Sequence, residues 1–124
     1  MTPHAHKLKR RVEDCRYIVS SLLFAPPPGA TEPTTLYDTS HLFFFGDMNF
    51  RLDLPASHPL YETAKQGGFA DAIASESVRK DLVEYDQLTR EMKKGTIFVG
   101  LHEGEFWRFK CSFKYKIGQV DEYR

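Results

Sequence analysis

Cysteine is scarce in this 124-residue chain: Cys15 and Cys111 are its only two. They stand too far apart for a disulfide scaffold or a zinc site, so a reduced, cytoplasmic setting is expected. Net charge is missing as well. Lysine and arginine number 17, as do aspartate and glutamate, which argues against nucleic-acid binding through a strongly basic surface. No run approaches the roughly 18 apolar residues of a membrane-spanning helix, and the N-terminus has no hydrophobic signal core. Internal repeats are lacking, and the only low-complexity tract is a short proline run. What is present suffices for a core: 41% of residues are hydrophobic and 14% aromatic, at a length that fits one domain.

Residues 5 to about 24 read as the clearest helix. Leu8, Val12, Cys15, Val19 and Leu22 recur at spacings of three and four and line one face. The basic run Lys7 to Arg11 is expected to be a solvated face of that helix, as most charge runs are. His4 and His6, two apart, would point away from each other on a helix and so form no zinc pair. Ala25-Pro26-Pro27-Pro28-Gly29 stops the helix, because proline lacks the amide donor and clashes with the preceding turn. The loop is expected to run through Thr35 without marking a domain boundary. His41 is expected at a strand edge, with no metal role. Residues 52–59 read as loop, 60–66 as a short helix closed by Gly67-Gly68, and 69–80 as weakly patterned helix. Tyr85 to Lys94 is a better helix that Gly95 ends. Residues 96–99 are β-prone, and Phe106 to Tyr115 partly alternates as a half-exposed strand would. Trp107 with Phe106 and Phe109 suggests core packing.

The densest chemistry lies in Leu42-Phe-Phe-Phe-Gly-Asp-Met-Asn-Phe-Arg51. The apolar run suits a buried strand that ends at Gly46. Asp47 and Asn49 then leave the strand two residues apart, with Arg51 behind them. A carboxylate can orient or deprotonate water, an amide can donate to a phosphoryl oxygen, and an arginine can offset charge. The same residues also suit a plain Asx turn leaving a strand. On these ten residues both readings stand.

The stretch resembles the W-F-G-D-L-N-F/Y-R signature of the inositol polyphosphate 5-phosphatases. Asp86-Gln87-Leu88, Glu91, Gly95, Phe98, Gly100, Glu103-Gly104, Phe106 and Phe109 resemble that family's D-Q-L-x-x-E-x-x-x-G-x-x-F-x-G-F-x-E-G-x-I-x-F. Cys111-Ser112-Phe113-Lys114-Tyr115 stands where the family has P-T-Y-K-F/Y, and Lys9 to Tyr17 is similar to its R-N-x-D-Y helix segment. The similarity runs nearly end to end and in order.

That resemblance implies an α/β chain: part of a four-layer α/β sandwich of the DNase I-like endonuclease/exonuclease/phosphatase fold. Residues 1–124 would be a middle portion of the catalytic domain. The family's metal-binding glutamate, its first motif histidine and its P-A/S-W-C/T-D-R-I segment find no counterpart here. The implied reaction is magnesium-dependent hydrolysis of the 5-phosphate of phosphoinositides or inositol phosphates, with the main magnesium ligand outside these residues. Asp47 would activate water and Asn49 would bind the scissile phosphate. Lys114 would grip the 4-phosphate, while Arg51 and His4, as the second motif histidine, would contact substrate. Phe113 in place of tyrosine removes a hydroxyl donor, and Cys111 replaces a proline. Peripheral contact with membranes is expected and a nucleic-acid partner is not. A non-catalytic remnant that only binds, or a nuclease of the same fold, would be the alternatives.

Overall fold

Among the described residues the buried hydrophobic side chains are Cys15, Leu36, Leu82, Ile97 and Phe98, and two arginines, Arg11 and Arg79, are buried with them. The computed structural model describes residues 1–112, 115–119 and 122–123, which divide into two compact units. The first comprises Met1–Arg51 and Glu91–Gly100, the second Leu52–Arg90 and Leu101–Arg124.

In the first unit a 3-10 turn, Ala5–Lys7, leads into helix α1, Leu8–Ser21. The expected face holds at its centre, where Cys15 is buried, but the helix stops three residues early and Leu22 is exposed. The backbone extends at Leu22 because the prolines ahead admit no further turn. Strand β1, Leu23–Phe24, then pairs antiparallel with β2, Thr34–Thr35, in the register Leu23 to Thr35 and Phe24 to Thr34. The loop expected through Thr35 therefore closes two residues sooner, as a ribbon around the prolines. A 3-10 turn, Leu36–Asp38, follows, capped reciprocally by Thr35 and Asp38. The proline loop lies inside this unit and splits nothing.

Residues 42–45 do not form a paired strand. They run extended, with the period-two alternation of such a chain: Leu42 and Phe44 half-buried, Phe43 80% and Phe45 88% exposed. Phe44 packs against Phe98 at 4.6 Å between ring centroids. The expectation of a buried strand fails because a strand exists only through a partner's hydrogen bonds. Among the described residues the only sheet is the β1–β2 ribbon.

Residues 96–99 do not form a strand either. Ile97 and Phe98 are buried, and Phe98 takes a φ of 51°, outside any β conformation. Thr96 is held by Glu91, whose carbonyl accepts the Thr96 N–H at 3.1 Å and whose carboxylate accepts the Thr96 hydroxyl at 2.8 Å.

The burial of Cys15 has a chemical consequence. Its thiol sits 3.3 Å from the Met1 sulfur, and burial, then the neighbouring Asp14 charge, push its pKa up to about 11. The raised value keeps the thiol protonated at pH 8, and the thiolate is the reactive form. Iodoacetamide at pH 8 is expected to modify the half-buried Cys111 first and to reach Cys15 only after denaturant is added. Equal labelling of both thiols in the native protein, read by peptide mass spectrometry, would contradict this packing.

The second unit is mainly helical. Helix α2, Leu60–Lys65, ends at Gln66 as expected, but 69–80 is two helices, α3, Phe69–Ala72, and α4, Glu76–Leu82. A buried arginine explains the break. Arg79 donates to the carbonyls of Ile73 and Ala74, both at 2.8 Å, so those groups are satisfied outside a continuous helix. Its Nε donates to the Trp107 carbonyl at 2.8 Å and fixes the 3-10 turn Phe106–Arg108. That turn stands where a strand was expected. Trp107 is half-buried, whereas Phe109 is exposed and does not join the core. Helix α5, Gln87–Lys93, begins two residues later and ends one residue earlier than the expected Tyr85 to Lys94, because Val83–Tyr85 forms a separate 3-10 turn. Asp86 caps it by accepting the Thr89 N–H at 2.7 Å, and Gly95 ends it with a φ of 67° that few other residues adopt.

Candidate active site

Three of the expected site residues and the backbone of a fourth come together in the first unit. Gly46 ends the extended run, and Asp47 then accepts the backbone N–H of Asn49 on Oδ1 at 2.9 Å. This is the Asx turn that the sequence also suggested, so turn and candidate chemistry occupy the same atoms. Asn49 itself has a φ of 59°, a left-handed conformation that asparagine tolerates better than most residues.

The Asn49 carboxamide is held at both ends. Its Nδ2 donates to the Met1 carbonyl at 3.0 Å, and its Oδ1 accepts from Arg51 Nη2 at 3.2 Å. One amide hydrogen and the Asp47 Oδ2 atom are left without a partner among the described residues. Asp47 and Arg51 are exposed, and Asn49 is half-buried. A preset turn thus presents a carboxylate oxygen and an amide donor to solvent beside a guanidinium.

Arg11 is the residue that sequence reasoning missed. Expected on a solvated face, it is 0% exposed. Helical side chains tilt toward the N-terminus, so Arg11, one turn into α1, reaches back to the His4 carbonyl, where Nη1 donates at 2.6 Å. Its guanidinium lies 5.5 Å from the Phe50 ring centroid, a cation–π contact. Burial, and secondarily the charge of Arg51, lower its pKa. One sequence signal does set Arg11 apart from Lys7, Lys9 and Arg10: it stands three residues after Leu8 and four before Cys15, on the edge of the apolar stripe. Arg10, on the other side, pairs with Glu13 and Asp14 in solvent, as a charged helix face should.

His4 sits at the start of this arrangement with a φ of 78°, strained for a residue with a side chain. Its carbonyl takes both the Arg11 guanidinium and the Lys7 N–H. Because His4 precedes the helix, the expected divergence of His4 and His6 fails: their rings stack at 6.0 Å with 17° between planes. Lys114 and Phe113 lie outside the described residues.

Asp47 is the single carboxylate that this turn presents. No group of three histidine, cysteine, aspartate or glutamate side chains that could hold a metal ion occurs among the described residues. Hard cations such as magnesium take several oxygen ligands, so these residues by themselves do not fit a magnesium centre.

Residues 1–124 match the family model described as Endonuclease/Exonuclease/phosphatase family 2. The chain belongs to that family, and its α/β class follows. It is 41% identical over 90 residues to the phosphatidylinositol polyphosphate 5-phosphatase type IV of Rattus norvegicus, covering 73% of this chain and 12% of the relative. Synaptojanin-2 of Rattus norvegicus is 30% identical over 120 residues, 97% of this chain and 7% of its own length. The type IV inositol polyphosphate 5-phosphatase 11 of Arabidopsis thaliana is 29% identical over 121 residues, 98% of this chain and 30% of its own. The chain thus spans between 7% and 30% of the length of these relatives, and the resemblance seen in the motifs is borne out.

Proposed function

We propose that this sequence carries the phosphate-handling turn of an enzyme that hydrolyses the 5-phosphate of phosphoinositides or inositol phosphates. The joint geometry of Asp47, Asn49 and Arg51 carries this reading, and two of the relatives, named as polyphosphate 5-phosphatases, support it. Within it, the free Oδ2 of Asp47 orients the attacking water and draws its proton. The remaining amide hydrogen of Asn49 donates to an equatorial phosphoryl oxygen, and Arg51 offsets the charge that accumulates there. Little covalent chemistry is asked of the protein, since positioning and electrostatics lower most of the barrier in phosphoryl transfer. The DNase I-like four-layer sandwich belongs to the same proposal, with Phe43 and Phe45 as faces that further strands of such a sandwich would cover. So do magnesium, supplied with ligands beyond those described, and peripheral contact with a lipid surface. No helix among the described residues is long and apolar enough to cross a membrane.

Lys114 tests the substrate class. A lysine that contacts the 4-phosphate matters for a 4,5-bisphosphate and hardly at all for a substrate without that group. In a complete catalytic domain carrying this sequence, Lys114→Ala is expected to lower kcat/KM for the bisphosphate by about 1.5–3 kcal/mol, the range of a charge-assisted hydrogen bond. The substrate lacking the 4-phosphate should stay within about 0.5 kcal/mol, as for a surface change with no lost contact. Equal losses on both substrates would reduce Lys114 to a general attractor of anions. No release of 5-phosphate from either substrate by the unaltered domain would refute the assigned activity itself.

A further inference from the structure

The proline loop has no part in the chemistry proposed above, yet the fold displays it. Every residue from Ser21 to Pro33 is exposed, including Leu23 at 56% and Phe24 at 42%. A residue that precedes proline is confined to extended or polyproline II backbone, which covers Ala25, Pro26 and Pro27. Pro28 then opens a turn closed by the Ala30 N–H donating to the Pro27 carbonyl at 3.0 Å, with Gly29 at a φ of 89°. Such a type II turn keeps Pro28 close to polyproline II geometry and requires a residue like glycine after it. Phe24 through Pro28 therefore form a short, stiff polyproline segment with an aromatic residue at its head. The Phe24–Thr34 pairing anchors its base.

Its chemistry narrows the occupant. No lysine or arginine lies between Arg16 and Arg51, and the only charges from Tyr17 to Ser40 are Glu32 and Asp38. An anionic lipid surface finds no cation here to attract it. Proline at the first and fourth positions of a four-residue window, the P-x-x-P spacing, is absent because Gly29, Ala30 and Thr31 follow the three prolines. No tyrosine follows them inside the loop. An aromatic residue ahead of consecutive prolines remains, and a stiff segment of that kind loses little entropy when it docks in an aromatic-lined groove.

We propose that Phe24–Pro28 is a docking segment for a protein domain whose aromatic-lined groove receives polyproline II ligands headed by an aromatic residue, the EVH1 type of recognition. The 124-residue chain, labelled with ¹⁵N, can be titrated with a purified EVH1 domain, with SH3 and WW domains as comparators and with phosphatidylserine vesicles as a lipid probe. Saturable shifts confined to residues 21–34 on adding the EVH1 domain are expected. Pro27→Ala should weaken that binding by about tenfold or more, and Phe24→Ala likewise. Pro27 is exposed, so the unperturbed shifts of the remaining residues will show that its variant is folded. Binding that Pro27→Ala leaves unchanged, or a response to vesicles, SH3 or WW domains without one to the EVH1 domain, would overturn the assignment. So would the absence of any response.

Discussion

In a complete catalytic domain carrying this sequence, replacing Asn49 with glycine is expected to lower kcat for 5-phosphate release by about 100-fold or more. Glycine is the informative substitution because Asn49 has a φ of 59°. Alanine would add left-handed strain of roughly 1–2 kcal/mol to the loss of the carboxamide and blur the result. Glycine removes the side chain and keeps the turn. Asp47 needs the complementary design. Its Oδ1 holds the Asn49 N–H at 2.9 Å, so Asp47→Ala removes both the charge and the turn. Asp47→Asn retains an acceptor for that N–H and loses only the carboxylate. If Asp47 activates water, the asparagine variant should lose about 100-fold in kcat as well. A folded Asp47→Asn enzyme with near-normal kcat would leave Asp47 as a turn residue and nothing more.

The largest effect on stability is expected at Arg11. Arg11→Ala removes the donor to the His4 carbonyl, the face of Phe50 and the volume of a side chain with no exposed surface. A lost hydrogen bond to a charged group costs about 1.5–3 kcal/mol, and the cavity adds to it. Two terms oppose this loss. The His4 carbonyl keeps the Lys7 N–H as a partner at 3.2 Å, and removing the guanidinium relieves the burial and Arg51 repulsion that lower its pKa. The net expectation is about 2–3 kcal/mol, measured as a lower urea midpoint at unchanged slope. Arg11→Lys should recover little, since a single ammonium cannot both sit over the ring and reach the carbonyl. A change below about 0.5 kcal/mol for Arg11→Ala would mean the buried arginine is bystander packing. The His4 ring is a sensitive reporter, because its φ of 78° is held against local preference by the grip of Arg11 on its carbonyl.

Arg11 and Arg79 share one lesson. Both are cations of helices that a charge-based reading assigns to water, and both are buried with their guanidinium donating to backbone carbonyls. Five donors in a rigid fork let one arginine satisfy several carbonyls where the backbone departs from regular structure. Arg79 does so at the break between two short helices, and Arg11 does so where the chain enters α1.

The sequence by itself determined whatever depends on neighbours a few residues away. Helices α1 and α5 follow from apolar spacing and α2 from the glycines that close it, the prolines end the first, and Gly95 ends the last. The Asp47–Asn49 turn is likewise local, because an Asx side chain reaches its own backbone two residues on. The family was legible too, in motifs spread along the chain. Only the tertiary structure decided the rest. Whether Leu42–Phe45 became a strand depended on a partner to hydrogen-bond with, and none pairs with it among the described residues. The spacing within α1 puts Arg11 at the edge of the apolar stripe, but its burial as a charged group depended on Phe50 and the His4 carbonyl lying within its reach. The direction of the Asn49 amide depended on Met1, 48 residues away in sequence. Local propensity acts through covalent neighbours, whereas pairing, burial and side-chain aim are set by whatever the fold brings near.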